Sequence, residues 1–299
     1  MTCTDKTTAV SQQLIQQMQL PDSFMQIVER IYLPLVKIIL NHKTQAPLFI
    51  SINGAQGTGK STLSKFLKYL IEAKTGDDVA DISLDDFYAT RQQRQQLARE
   101  VHPLLMTRGV PGTHDLDLMT STLNTLLEGK TCDIPRFDKA MDDRMEKSQW
   151  TRVDRPVKFV LFEGWCNHSP FQSDDELIEP VNELESSEDP QGIWRNYANE
   201  QLKHYHQEIF QHADMNIMLK APDFEQIYEW RSLQEDKLRQ NTLNSKQTRI
   251  MSVDELRRFI QHYERISRHT LAHLPDTANI VIPIDTDHSI TEIISHDDK

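Results

Sequence analysis

A chain of 299 residues with a net charge of −12 and 38% hydrophobic residues can build one large α/β domain or two small ones, and it has no basic surplus. That argues against nucleic acid as the main partner, because a phosphate backbone calls for a basic face. The three cysteines, Cys3, Cys132 and Cys166, show neither paired zinc spacing nor a disulfide framework. No apolar run is long enough for a bilayer, and the first residues lack the charged-then-apolar order of a secretion signal, so a soluble, cytoplasmic protein without membrane association is expected.

Residues Gln12 to His42 read as helical, with Pro21-Asp22-Ser23 as a break and cap between two pieces. No Pro/Gly/Ser-rich linker follows. The expected organisation is an N-terminal helical extension over residues 1–45 and one domain over 46–299. The apolar run Leu48 to Asn53 then reads as a strand ending in Gly54-Ala55-Gln56-Gly57-Thr58-Gly59-Lys60-Ser61-Thr62, a phosphate-binding loop. Glycine is needed there because successive backbone N–H groups must turn inward around a β-phosphate, which requires positive φ and leaves no room for a Cβ. Lys60 would reach the β/γ-phosphates of a nucleotide triphosphate, and Ser61 would offer its hydroxyl to Mg²⁺. An amphipathic helix from Ser61 to Ala73, with Leu63, Phe66, Leu67 and Leu70 on one face, follows where the motif demands it. Six of only nine glycines fall in this loop, in Arg108 to Asp115 and in Glu163-Gly164.

Further strand-like runs recur at Val79 to Leu84, Val157 to Phe162, Met215 to Leu219 and Ile280 to Ile284. They alternate with helical segments at Leu116 to Leu127, Arg195 to Phe210 and Asp223 to Arg239. That alternation predicts a mostly parallel sheet covered on both faces, a three-layer α/β/α arrangement whose ligands bind beyond the carboxyl ends of the strands. The second strand is followed by Asp85 and Asp86. Successive residues of extended chain point to opposite sides, which makes Asp85 the base for an attacking hydroxyl and leaves Asp86 as a metal, water or arginine partner. Arg108-Gly-Val-Pro-Gly-Thr-His114-Asp115 combines a loop with groups suited to a substrate carboxylate or hydroxyl, and Asp115 reads equally as a helix N-cap. Arg136 to Lys139 adds a loop of mixed charge, read either as a clamp for an anionic substrate or as surface ion pairs.

The third strand ends in Glu163-Gly164-Trp165, whose carboxylate is placed to serve Mg²⁺. It lacks the Asp-x-x-Gly of a GTPase switch, and no Asn-Lys-x-Asp guanine reader follows. Between Ser173 and Pro190 lie eight acidic residues and no basic one, read as a solvated surface insertion near 171–193. On the helix after the fourth strand, Arg231 and Glu235 are i,i+4 neighbours, and Arg231 with Arg239 is read either as a lid over the phosphates or as part of a solvent-exposed helix laced with ion pairs. Asp285 and His288 follow the last strand, near where a nucleotide base would lie.

Taken in order, the phosphate loop, Ser-Leu-Asp-Asp-Phe-Tyr, Arg-Gly-Val-Pro-Gly-Thr-His-Asp, Pro-Arg-Phe-Asp-Lys, Phe-Glu-Gly-Trp, Trp-Arg-x-x-Gln-Glu and Met-Ser-Val-Asp-Glu-Leu resemble the D-glycerate 3-kinase family over roughly residues 45 to 290. More distantly the chain resembles uridine kinase, phosphoribulokinase and pantothenate kinase. The resemblance implies ATP- and Mg²⁺-dependent phosphotransfer to D-glycerate. Asp85, Lys60 and Arg231 would be catalytic, Ser61 and Glu163 would serve the metal, and Asp86, Tyr88, Arg108, His114, Asp115, Arg136 and Lys139 would lie at the acceptor. The alternatives are a kinase of another small hydroxylated metabolite, pantothenate-like or nucleoside-like, and an ATP-binding regulatory switch. The sequence leaves the oligomeric state open.

Overall fold

The computed structural model describes residues 3–42, 47–241 and 251–296. At its centre is a six-stranded sheet built from β1 (Leu48–Gly54), β2 (Val79–Ser83), β3 (Phe159–Gly164), β4 (Met215–Lys220), β5 (Ile280–Pro283) and β6 (Ile294–Ser295), in the order β6-β5-β4-β1-β3-β2. All neighbours pair in parallel except the edge strand β6, which is antiparallel to β5. Burial on both faces explains why β1 reads as a nearly unbroken apolar run. Alternate residues still divide between two cores: Leu48, Ile50 and Ile52 join one apolar cluster and Phe49 the other.

The helices form the outer layers. The first cluster takes Leu63, Phe66, Leu67 and Leu70 of α3 (Lys60–Thr75), together with Leu14 and Ile15 of α1 (Cys3–Gln17) and Leu35, Val36 and Ile39 of α2 (Leu33–Asn41). The N-terminal extension therefore shares its core with α3. The second cluster takes Met119, Leu123 and Leu126 of α5 (Leu116–Leu127), Leu202 and Tyr205 of α6 (Ile193–Glu208) and Tyr263 and Ile266 of α8 (Val253–His273). Two further long helices are α4 (Arg91–Glu100) and α7 (Phe224–Asn241), and short helical turns occupy Phe24–Ile27 and Glu183–Glu188. Thr90 with Gln93 and Ser252 with Glu255 form reciprocal capping boxes that start α4 and α8. Among the described residues no helix is long and apolar enough to cross a membrane.

The expected strands are all present, and the departures from expectation have local causes. Helix begins at Cys3 rather than Gln12. Ser23 makes no capping hydrogen bond, because its own backbone is already helical and the Phe24 N–H bonds to the Pro21 carbonyl. The ladder then widens to a π turn over Val28–Tyr32 next to Pro34, which has no N–H to give to the carbonyl of Arg30. Two ribbons, Cys132–Ile134 with Thr151–Val153 and Phe137–Asp138 with Asp143–Arg144, consist of strands too short for periodicity to announce.

The acidic segment needs a correction. It carries exposed carboxylates, but Glu185 is fully buried against Arg265 of α8, and Asp189 is buried against Arg195 of α6. It is clamped to the domain rather than solvated throughout.

Candidate active site

The strand register brings Ile52, Ser83 and Glu163 level at the carboxyl end of the sheet, and the phosphate loop rises from the same edge. Gly57 and Gly59 both sit at φ +85°, a backbone region that side chains resist. At Gly57 a Cβ would also come within 2.8 Å of the Trp230 Cβ. Inside the loop the Thr58 hydroxyl donates to the Ala55 carbonyl at 2.8 Å, which closes the turn from beneath. Lys60 is the first residue of α3, so the loop amides and the positive end of that helix face one point.

Beside the loop, the Glu163 carboxylate is almost fully buried. Its Oε1 accepts from the Ser61 hydroxyl at 2.9 Å and the Ser83 hydroxyl at 2.8 Å, while Oε2 has no protein partner. Burial pushes this carboxyl above the ordinary range, and the Lys60 ammonium pulls it partly back. An orphaned carboxylate oxygen next to a serine hydroxyl is a donor set that suits a hard divalent cation. The tight turn that presents it depends on Gly164, where a Cβ would collide with the Asn167 side chain.

Across the cleft, Leu84–Phe87 forms a 3-10 turn instead of extended chain, and within it the two aspartates still diverge. Asp85 turns into the cleft, where the Tyr88 hydroxyl donates to Oδ1 at 2.9 Å and the Lys139 ammonium meets Oδ2 at 2.5 Å. Burial raises its pKa, but Lys139 and Lys60 outweigh burial and hold it at about 2. Asp86 turns away. It pairs with Arg136 at 2.5 Å and accepts from the Phe137 N–H, and burial outweighs Arg136 to leave it raised.

One cleft of about 570 Å³ collects Gln56, Gly57, Gly59, Lys60, Ser61, Thr62, Asp85, Tyr88, Arg108, Lys139, Glu163 and Arg231 from the residues expected at a site. Gly54, Ala55 and Thr58 belong to the same loop but do not line the cleft. Ser83, Trp165, Phe259 and Tyr263 also line it without having been expected. The first two are members of the quoted motifs, so their position beside Asp85 and Glu163 was a usable signal. Phe259 and Tyr263 arrive on α8, and only the packing of that helix brings them in; the Tyr263 hydroxyl donates to the Arg108 carbonyl at 3.3 Å. Arg108 itself forms a close ion pair with Asp142, whose second oxygen lies 3.0 Å from the buried guanidinium of Arg94.

Four of the residues expected at the acceptor stand outside this cleft. His114 is buried behind Tyr88, with their rings stacked at 4.5 Å, and its Nδ1 lies 2.9 Å from the Tyr205 hydroxyl. Burial lowers its pKa to about 3 despite the opposing pull of Asp85, so it is a neutral imidazole supporting Tyr88. Asp115 caps α5 through the Leu118 N–H and pairs with Arg144 at 2.9 Å. Asp86 and Arg136 are taken up by each other. Arg231 lines the cleft from α7, whereas the side chains of Glu235 and Arg239 lie outside the described residues. His288 reaches the phosphate loop itself, with Nε2 3.0 Å from the Gly57 carbonyl and its ring over Trp230.

A parallel sheet, a phosphate loop opening a helix and an aspartate facing it across the cleft define a P-loop kinase. Residues 49–172 match the model of the Phosphoribulokinase / Uridine kinase family. An uncharacterized kinase of Schizosaccharomyces pombe, mug58, is 32% identical over 232 residues, which cover 73% of this chain and 78% of that protein. The chloroplastic D-glycerate 3-kinase of Arabidopsis thaliana is 33% identical over 229 residues, covering 73% of this chain but 46% of the plant protein, so the match spans about half the length of that enzyme. The solved D-glycerate 3-kinase of Cryptococcus neoformans shares the fold with a TM-score of 0.71, at 23% identity over 92% of this chain and 99% of that one. The chain belongs to the Phosphoribulokinase / Uridine kinase family.

Proposed function

We propose that this protein transfers the γ-phosphoryl group of ATP to a hydroxyl of a small hydroxy acid, D-glycerate, with Mg²⁺. The observation that carries the reading is the placement of Asp85 between the phosphate loop and two cations, Arg108 and Lys139, in one cleft. Arg108 already engages a carboxylate, that of Asp142, which is the chemistry an acidic acceptor would present to it. The two relatives that carry the name D-glycerate 3-kinase support the same acceptor.

In this reading the loop amides and Lys60 hold the β- and γ-phosphates. Ser61 and Glu163 would hold Mg²⁺, which when bound supplies charge neutralisation to the phosphates. Asp85 aligns the acceptor hydroxyl with the γ-phosphorus. A bond forms from the acceptor oxygen to phosphorus, the bond to the β,γ-bridging oxygen breaks, and the hydroxyl proton leaves by way of the Asp85 carboxylate. Arg231 and Lys60 offset the charge on the transferring group, and Phe259, Tyr263 and Trp165 wall the cleft against water. The free thiols of Cys132 and Cys166 suit a reducing cytoplasm, and the charge of −12 suits small-molecule rather than nucleic-acid partners.

The test is ADP release with ATP and Mg²⁺ against D-glycerate, L-glycerate, pantothenate, uridine, ribulose 5-phosphate and no acceptor. Strong stimulation by D-glycerate alone is expected. Stimulation by a neutral acceptor instead would remove the acid from the reading. No stimulation by any acceptor, with ATP binding intact, would favour a nucleotide-dependent switch.

A further inference from the structure

Away from the cleft, the carboxyl-terminal end of α8 carries His269 and His273, one turn apart and therefore on the same face of the helix. Glu176, from the acidic segment, lies opposite them. One donor atom from each of the three lies within 4.8 Å of the other two, and among the described residues no other group of three histidine, cysteine or acidic side chains meets this condition. We infer that Glu176, His269 and His273 form a binding site for a zinc-class transition metal ion, distinct from the Mg²⁺ position at Ser61 and Glu163.

Two further observations carry the inference. The His269 Nδ1 stands 3.7 Å from the Glu176 Oε1. That is too long for a hydrogen bond and close to the edge of about 3.3 Å that separates donors around a tetrahedral zinc with 2.0–2.1 Å bonds. The Glu176 carboxylate is also held for this purpose, since Ser173 donates both its N–H (2.8 Å) and its hydroxyl (2.7 Å) to Oε2, leaving Oε1 turned to the imidazoles. The two imidazole rings sit with centroids 4.4 Å apart. Glu176 and His273 are exposed, so rotation of their side chains suffices to close the donor set onto an ion.

Two imidazoles and one carboxylate select Zn²⁺, Co²⁺, Ni²⁺ or Cu²⁺ over Mg²⁺, which prefers an all-oxygen octahedron. Three protein ligands leave a fourth position for water. The site's consequence is mechanical: the ion would bind the acidic segment to α8, the helix that supplies Phe259 and Tyr263 to the cleft. Arg265, one turn before His269, reinforces the same junction through the Glu176 and Glu179 carbonyls.

The experiment uses the full-length, tag-free protein after chelator treatment and dialysis. Co²⁺ and Zn²⁺ are titrated in the presence of millimolar Mg²⁺, with cobalt absorption and calorimetry as readouts. We expect one ion per chain, a tetrahedral cobalt spectrum and a Tm rise of about 5 °C when free Zn²⁺ is about 100-fold above Kd. His273→Ala and Glu176→Gln alter exposed groups and should fold normally while weakening binding at least tenfold; His204→Ala, at a partly exposed histidine on α6, should bind as the parent does. No binding by the parent, or equal binding by parent and both site variants, overturns the inference. Because neither readout involves phosphotransfer, failure here leaves the kinase reading untouched.

Discussion

Asp85 is held at a pKa of about 2 because Lys139 and Lys60 outweigh the effect of its burial. A carboxylate that acidic is ionised at every working pH and cannot store a proton taken early from an alcohol. Its contribution is to orient the hydroxyl and to accept the proton late, as a loose phosphoryl transition state allows. Asp85→Asn should therefore lower kcat by about 10²- to 10⁴-fold while ATP affinity stays close to that of the parent, measured by steady-state kinetics and calorimetry. Lost ATP affinity would instead give Asp85 a structural or metal-related role. Of this neighbourhood, the aspartate pair and the phosphate loop were legible because each follows an apolar strand. The enclosure of His114 behind Tyr88 was not, since a polar residue in a glycine-containing loop gives no local sign of burial.

At the scale of elements, the acidic segment shows how charge composition misleads. Eight carboxylates in eighteen residues look like solvated surface. Their partners, however, lie on helices: Arg195, six positions on, for Asp189, and far along the chain Arg258 for Glu188 and Arg265 for Glu185. Arg265 donates to both Glu185 oxygens, at 2.8 and 2.6 Å, with both side chains out of solvent. Glu185→Gln leaves a buried guanidinium without its counter-charge and should cost about 3 kcal/mol of unfolding free energy. Glu188→Gln removes only an exposed pair and should cost less than about 1 kcal/mol. Denaturant titration of both variants checks the contrast; equal small losses would mean that the clamp opens readily in solution.

For the whole molecule, the buried imidazoles of His114 and His262 and the partly buried one of His168 set the response to acid. Burial lowers His114 and His168 to about 3 and His262 to about 4, from an ordinary value near 6.5. Below pH 6.5 the unfolded chain protonates these groups while the folded chain does not, so unfolding takes up protons. Stability is then present above pH 6.5 and is lost as pH falls toward 4, by up to about 1.4 kcal/mol per pH unit for each histidine. Asp81 and Asp86, raised by burial, oppose this trend because their protonation favours the folded state, so the net slope lies below the three-proton limit. Chemical-denaturation midpoints between pH 7 and 4.5 should fall steadily. A flat profile would show that the three imidazoles titrate as they do in water.

The sequence by itself determined the α/β class, the five parallel strands and the phosphate loop. Each rests on local chemistry: buried strands must be apolar along their length, and a backbone that wraps phosphate must be glycine-rich. Tertiary structure alone decided which polar residues share the cleft. Lys139 and Arg231 meet Asp85 and the phosphate loop there, whereas Arg136 and Asp86 neutralise each other beside it and Asp115 is spent on a helix cap. It also brought in Tyr263 on α8 and joined the acidic segment to that helix. Pairings between residues 50 to 155 positions apart leave no periodic trace in the chain, because they are set by how helices pack on the sheet.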